Sequence, residues 1–364
     1  MAARLRFRVV RTFPNQRGRI VIAIHMTEFA PSASWRNIKL RSELLRRLRG
    51  FFDSRGFVEV ETPILSADVV VDRHLEPFRT LYAPDPRRPD EGRELFLQTS
   101  PEFHMKRLLA SGGEAIYQVA RAFRNGERGR LHNPEFTLVE WYRRGDDYDA
   151  GMKLLSDLCA CLLRCEPAER LTYRDAFVQH AGVDPFAATM EELRRACGAE
   201  RDFVQDGLET HPIEDIDGLE THPTMDRDAL LDMILVDRVE PYLGRGRPTV
   251  LCDYPPSQAA LAIVRREVTP VAERFELYVD GVELANGYHE LLDAGELRRR
   301  AAEANDLRAA GGRERLPEES RLLAAMDHGL PACCGCALGF DRVLLLAAGA
   351  ESIDDVLAFP IGRA

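Results

Sequence analysis

The chain of 364 residues contains no apolar run approaching the roughly 20 residues that span a bilayer, which excludes a helical membrane anchor. It has no excess of positive charge: 49 Lys and Arg against 59 Asp and Glu leave a formal net charge of −10. That balance argues against binding to nucleic acid through bulk electrostatics, and leaves room for a local basic patch. The spacing of paired Cys-x-x-Cys zinc knuckles is missing too. Cys333-Cys334-Gly335-Cys336 is too compressed and has no matching second pair. Cys159, Cys161 and Cys165 fall in an apolar helical stretch, where a reduced cysteine packs as a small hydrophobe. With Cys197 and Cys252, the eight read as reduced thiols of a cytoplasmic protein. Finally, no acidic residue precedes Glu28, whereas Arg4, Arg6, Arg8, Arg11, Arg17 and Arg19 do. This is the composition of a transit peptide, but a functional chain opening at Met26 is the reading we favour. Residues 1–31 are expected to be a disordered extension without chemistry.

What is present is ordinary for a globular protein: 45 % hydrophobic and 30 % charged residues, enough for one large domain or two smaller ones. Residues 36–52 place apolar side chains at helical spacing, and 57–61 alternate like a strand until Pro63. Residues 95–97 predict a strand leading to a helix capped by Ser100, with Pro101 as its first residue. Strands over 115–123 and 135–142 form a hairpin with a long loop, followed by a helix over 148–163. Residues 171–195 suggest short helices, part of an inserted region spanning about 165–245. Inside it, Asp-Gly-Leu-Glu-Thr-His-Pro occurs twice, at 206–212 and 217–223, which we read as a solvated loop. Strands follow at 249–253, 274–279, 282–285 and 336–340, then a helix over 340–348. Asp280-Gly281 is the signature of a type I′ turn. The pattern predicts an α+β fold, a mostly antiparallel sheet flanked by helices.

Three segments can carry chemistry. In the Asp280-Gly281 hairpin, Glu276 and Glu283 fall on one face as diagonal neighbours, roughly 7–8 Å apart. Two hard carboxylates so placed suit Mg²⁺, although a solvent-facing acidic strand is the plainer alternative. The loop 124–136 concentrates Arg124, Arg128, Arg130 and His132, a clamp for polyphosphate, with Phe136 set to stack on a purine; an exposed basic loop is an equal alternative. In the third, Gly339 sits between strand and helix, and Arg342 in the first helical turn reaches a phosphate.

Taken together and in this order, the segments resemble the signature motifs of class II aminoacyl-tRNA synthetases: 57–63 the first, 124–136 the second, 335–345 the third. Arg-Asn-x-x-x-Gly-x-x-His-Asn-Pro-Glu-Phe-Thr from Arg124 and Glu-Leu-Ala-Asn-Gly-Tyr-His-Glu-Leu from Glu283 are similar to the lysine branch. Only about thirty residues precede the first catalytic helix, too few for an anticodon-binding OB-fold. A catalytic domain of this kind, here 32–364, resembles the elongation factor P–(R)-β-lysine ligase family; Pro256-Ser257-Gln258-Ala259 and Cys336-Ala337-Leu338-Gly339 fit that family better than true synthetases.

The resemblance implies an ATP- and Mg²⁺-dependent ligase that adenylates (R)-β-lysine and transfers it to a lysine of elongation factor P. It implies a homodimer, with no membrane and no anticodon-dependent tRNA binding. By position, Arg124 and Arg342 hold the ATP phosphates. Asn125, Gly126, His132, Asn133, Phe136, Leu284 and Gly339 shape the nucleotide site, and Glu276 and Glu283 bind Mg²⁺. Ser100, Pro101, Glu102 and Asn286 frame the amino acid, with Glu290 and Tyr142 on its distal ammonium. Ala337 stands where lysyl-tRNA synthetases carry glycine, a difference that disfavours α-lysine by about 1–3 kcal/mol. Gly126 departs from the family, which commonly has glutamate there; Glu127 follows directly. Two alternatives stand beside this reading. One is a lysyl-adenylate enzyme with a tRNA or small-molecule acceptor. The other is a catalytically silent paralogue, against which the retained Arg124, Glu276, Glu283, Glu290 and Arg342 speak.

Overall fold

Helix α1 (Trp35–Asp53) opens on Ser34, whose hydroxyl accepts the Asn37 N–H at 3.2 Å, and buries Leu44, Leu48, Phe51 and Phe52 along one stripe. The computed structural model describes residues 29–198 and 225–364; the segment before residue 29 and the repeat at 206–223 lie outside the described residues. Strand β1 (Val58–Glu59) is shorter than the alternation at 57–61 predicts, and pairs in parallel with β5 (Ala115–Phe123). Between them, β2 (Leu65–Ser66), β3 (Arg79–Tyr82) and β4 (Arg93–Leu97) form a small sheet in the order β2-β4-β3. Helix α2 (Glu102–Ala110) begins one residue later than expected: Pro101 stands at the cap, and Ser100 Oγ accepts the Glu102 N–H at 3.0 Å.

The large sheet continues with β6 (Glu135–Arg144), then, after α3 (Tyr148–Leu163), β7 (Glu169–Thr172) and β8 (Thr249–Tyr254). Next come β9 (Val264–Arg265), β10 (Val271–Val279), β11 (Val282–His289) and β12 (Cys333–Gly339). Its order is β1-β5-β6-β12-β11-β10-β8-β7, with β9 on β10; among the described residues only β1·β5 and β7·β8 pair in parallel. Asp280 and Gly281 have φ of 51° and 76°, the two positive values a type I′ turn requires. The inserted region contributes α4 (Tyr173–Ala181), α5 (Met190–Gly198) and α6 (Arg227–Ile234), packed on β8 and β10 through Phe177, Leu230, Leu231 and Tyr254. Helices α7 (Ala294–Ala310) and α8 (Arg321–Gly329) precede β12, and α9 (Phe340–Ala348) follows it.

Period-two alternation divides the two faces of the sheet. On β6, Val139 and Trp141 enter the core beneath α1, α3 and α9, where Phe52 stacks on Tyr117 at 4.4 Å. Phe136, Leu138, Glu140 and Tyr142 face the other way and line a cavity. Each fully buried core aromatic of this kind stabilises the fold by about 1.5–3 kcal/mol.

Candidate active site

The cavity has a volume of about 810 Å³ and gathers side chains from β6, β11, β12, α2 and α9. At one end the Arg124 guanidinium lies 5.1 Å from the Phe136 ring centroid, and its buried Nε has no hydrogen-bond partner. Arg342, in the first turn of α9, donates from Nη1 to the Glu283 carbonyl at 2.8 Å and stands 3.2 Å from the Glu283 carboxylate. Its Nη2 is 2.6 Å from His132 Nε2. Burial, reinforced by Arg342 and Arg124, pushes the His132 pKa down to about 4, so the ring is neutral and accepts from the guanidinium. Two cations and an aromatic plate thus converge at this end, a combination suited to phosphate groups and a planar ring.

This end is braced from behind. Asp341 Oδ2 accepts the Thr137 N–H at 2.7 Å, and Oδ1 lies 2.5 Å from Arg41 of α1, so one buried carboxylate ties three elements together. Asn133 lines the cavity yet spends its amide on the chain: Nδ2 donates to the Glu135 carbonyl at 2.6 Å and Oδ1 accepts the Ile361 N–H at 2.9 Å.

The other end is a buried carboxylate pocket. Glu140 accepts from Ser100 Oγ at 2.8 Å and from Tyr142 at 2.6 Å. Lys106 Nζ lies 2.5 Å from Glu102 Oε1 and 2.5 Å from Glu290 Oε2. The contact to Glu290 is an ion pair off the hydrogen-bond direction, because Oε2 lacks an aligned donor. Burial, then the Glu102 charge, raises Glu140 to about 7. Burial also raises Glu290 to about 8, against the opposing pull of Lys106. Asn286 donates to the Tyr288 hydroxyl at 3.0 Å and leaves its buried Oδ1 without a partner. Ala337 sits between, opposite Asn286 on one side and Glu140 on the other. A Cβ on Gly335 would stand 2.2 Å from Tyr142 and 2.4 Å from Glu290, so only glycine leaves the pocket open. Orphaned acceptors beside excess carboxylate are what a ligand rich in N–H donors satisfies.

A family profile described as tRNA synthetases class II (D, K and N) matches residues 24–363. The chain belongs to that family. Within it, the chain is 44 % identical over 334 residues to the elongation factor P–(R)-β-lysine ligase of Yersinia enterocolitica, covering 92 % of this chain and 98 % of the relative. The identity is 44 % over 339 residues with the ligase of Edwardsiella ictaluri, covering 93 % and 99 %. With that of Klebsiella pneumoniae it is 45 % over 334 residues, covering 92 % and 98 %. The expected class II synthetase fold and the resemblance to the ligase branch are both borne out.

Of the residues that the synthetase motifs single out, Ser100, Glu102, Tyr142, Asn286 and Glu290 line the carboxylate pocket, and Arg124, His132, Asn133, Phe136, Glu283, Gly339 and Arg342 line the arginine end. Pro101, Asn125, Gly126, Leu284 and Glu276 do not line the cavity. Asn125 instead donates its backbone N–H to the Glu76 carbonyl at 2.7 Å. Gly126 is exposed at φ 84°, while Glu127 lines the cavity 3.8 Å from Arg124. Glu276 shares the hairpin face with Glu283, but a bulge sets it opposite Asn286. Its Oε2 accepts from Tyr254 and Tyr278 at 2.6 Å each, and its Oε1 from Arg274 at 2.5 Å. Glu240 lies behind both, raised to about 7 by burial and then by Glu283 and Glu276. The hard oxygens fit a divalent cation at Glu283; Glu276 joins it only by yielding Arg274.

Sequence reasoning missed Glu140, Lys106 and Tyr288, whereas Glu127, noted only as following Gly126, is the one of the two that lines the cavity. Glu140 had a signal: it continues the alternation Phe136, Leu138, Glu140, Tyr142, an acid in an otherwise apolar and aromatic register. Lys106 lies one turn beyond Glu102, a spacing shared by countless surface pairs.

Proposed function

We propose that this chain adenylates (R)-β-lysine with ATP and transfers it to the side-chain amine of a lysine on elongation factor P. The observation that carries this reading is the joining, in one cavity, of an arginine–histidine–phenylalanine clamp with a buried three-carboxylate pocket. Ligases named for this reaction match along 98 % and more of their length. No described helix is long and apolar enough to cross a membrane, and we read the protein as a cytoplasmic homodimer without anticodon-dependent tRNA binding. Its single catalytic domain starts near residue 32 and carries the helical insertion.

The residues divide the work. Glu102, Glu140 and Glu290 pair with the two substrate ammonium groups, Asn286 accepts from one of them, and Ala337 sets the floor. Held there, the substrate carboxylate attacks the α-phosphorus in line and the bond to the β-phosphate breaks, releasing pyrophosphate, with Arg124 and Arg342 neutralising charge that develops on the phosphates. A bound Mg²⁺, held by Glu283 with Glu276 behind it, supplies further charge neutralisation. Phe136 orients the purine, and neutral His132 accepts a hydrogen bond without adding charge. No protein nucleophile is involved: the acceptor amine attacks the mixed anhydride and AMP leaves. Asp228 and Asp232 line the same cavity, and we assign them to that acceptor. Ser257 and Gln258 fix these two at 2.7 and 2.8 Å, which gives the Pro-Ser-Gln-Ala segment a place in the site.

The test is ATP–pyrophosphate exchange with (R)-β-lysine, α-lysine and no amino acid. Exchange strongest with β-lysine is expected. Preference for α-lysine would remove the role given to Ala337, and no exchange with either would overturn the enzyme reading.

A further inference from the structure

We propose that Lys106 is a positioning residue for amino-acid recognition: its buried ammonium holds the Glu102 and Glu290 carboxylates apposed, so that the pocket with its carboxylates ionised is matched by a ligand bearing two ammonium groups. The proposal rests on the function proposed above and deepens it.

Lys106 does not line the cavity, and only 2 % of its surface is exposed. It reaches from α2 between Glu102 of its own helix and Glu290 at the end of β11, 2.5 Å from each. Such a residue acts on the substrate through the carboxylates it holds. The charge count sets the specificity. Glu102, Glu140 and Glu290 bring three negative charges and Lys106 one positive, leaving two to be matched. A diamino acid brings two to this pocket once its carboxylate is joined to the α-phosphate, because the remaining negative charge then lies on the phosphate at the arginine end. A monoamine leaves a buried carboxylate unpaired, the least tolerable state for such a group.

The empty pocket meets the same constraint with protons, since Glu140 and Glu290 are held at about 7 and about 8. Glu102 of α2 faces both of them, and the neighbouring tyrosines and cysteines do not titrate in this range. Burial raises Tyr142 of β6 and Tyr288 of β11, and Cys333, Cys334 and Cys336 of β12, so all five stay neutral. Arg274 of β10 stays charged. Helix α8 presents Leu322, Leu323 and Met326 to this region. Two opposing pressures act on Lys106: burial pulls its pKa down, and Glu102 and Glu290 outweigh burial, so it remains an ammonium. Substrate ammonium therefore competes with protons for Glu140 and Glu290, and Lys106 sets the pH at which the substrate wins.

The experiment compares full-length wild type, Lys106→Met and Lys106→Arg by pyrophosphate exchange from pH 6 to 9, and by thermal melting of the ligand-free proteins over the same range. In the wild type, KM for β-lysine falls as pH rises from 6 to 8. In K106M it is raised at least tenfold at pH 7, and its fall is displaced upward by at least one pH unit, with KM for ATP within twofold of wild type. K106R keeps the wild-type position of the limb. In the melts, the decline of Tm with pH extends to higher pH in K106M, because its carboxylates retain protons longer. A K106M profile superimposable on wild type, or β-lysine and ATP constants that rise together without displacement, would reduce Lys106 to packing and overturn the proposal. Should K106M fail to fold, a displaced limb in K106R does the same. Wild type without β-lysine-dependent exchange defeats the proposed function instead, and the melting slopes still judge Lys106: equal slopes reject it, a longer decline in K106M supports it.

Discussion

Replacing Gly335 by alanine is the sharpest probe of the amino-acid pocket, because the structure states what the added methyl meets. It would stand 2.2 Å from Tyr142 Cε1 and 2.4 Å from Glu290 Oε1, against ordinary contact distances of about 3.5–4.0 Å. Each neighbour must retreat by more than about 1 Å. Neither is free to do so: Tyr142 is 2 % exposed and Glu290 1 %, and the Gly335 backbone is pinned between Tyr142 on β6 and Tyr288 on β11. Overpacking of this kind costs about 1–3 kcal/mol. Since the displaced groups are the two proposed to read the distal ammonium, the loss falls on amino-acid binding, raising KM for β-lysine about 5–150-fold. Phe136 and Arg342 lie at the other end of the cavity, so KM for ATP, measured by the same exchange assay, stays within twofold. A folded Gly335→Ala enzyme with unchanged β-lysine KM would refute the assignment of Tyr142 and Glu290 to substrate recognition.

Further outcomes are expected from the same geometry. Phe136→Ala removes the stacking plate and raises KM for ATP by roughly tenfold, the scale of one base–aromatic stack, without changing KM for β-lysine; both come from exchange kinetics. Asp341→Ala leaves Arg41 and the Thr137 N–H without their shared acceptor and destabilises the fold by about 3 kcal/mol, read by urea unfolding. Glu140 and Glu290 carry folded-state values of about 7 and about 8, above the ordinary 4.5, so the folded state holds more protons than the unfolded chain between those limits. Their contribution is therefore fully present below about pH 4.5 and lost as pH rises through 7 to 8, so the Tm of the ligand-free protein falls from pH 6 to 8; a flat profile would contradict the buried-carboxylate pocket. Glu127→Ala raises KM for ATP, whereas Gly126→Ala does not, because Glu127 and not residue 126 lines the cavity.

The parts of the fold read most directly from sequence were those where local chemistry and tertiary packing agree. Helix α3 and strand β5 coincide with their expected spans, and the Asp280-Gly281 turn has the two positive φ values its residues favour. Helix α7 went unread because its repeated alanine and arginine offer no apolar stripe, and burial is confined to scattered Ala294, Leu297, Ala301, Asn305 and Arg308. Arg308 shows the difficulty well: a fully buried arginine, it bonds the Asp72 and Leu75 carbonyls and the Glu76 carboxylate, partners more than 230 residues away. At the site, motif residues fixed by local register, such as Arg342 after Gly339, were legible. The hairpin bulge that carries Glu276 out of diagonal register with Glu283 was not, since Leu277 and Tyr278 give no sign of it.

That uneven legibility reflects how the site divides its tasks. Strand β12 serves both ends of the cavity within seven residues: Gly335 and Ala337 touch the amine pocket, while Gly339 leads into the helical turn that aims Arg342 at the phosphate end. Because Ala337 stands opposite both Asn286 and Glu140, a change of one methyl there alters the floor beneath the substrate without moving the backbone that positions Arg342. On the proposed function, a pocket of this design shifts between lysine isomers by about 1–3 kcal/mol, while the clamp assigned to adenylation stays the same. The charge requirement is harder to shift, because Glu102, Glu140, Glu290 and Lys106 come from three separate elements and each is buried against the others. If both proposals hold, isomer preference is the adjustable property of the site, and the demand for two ammonium groups is the fixed one.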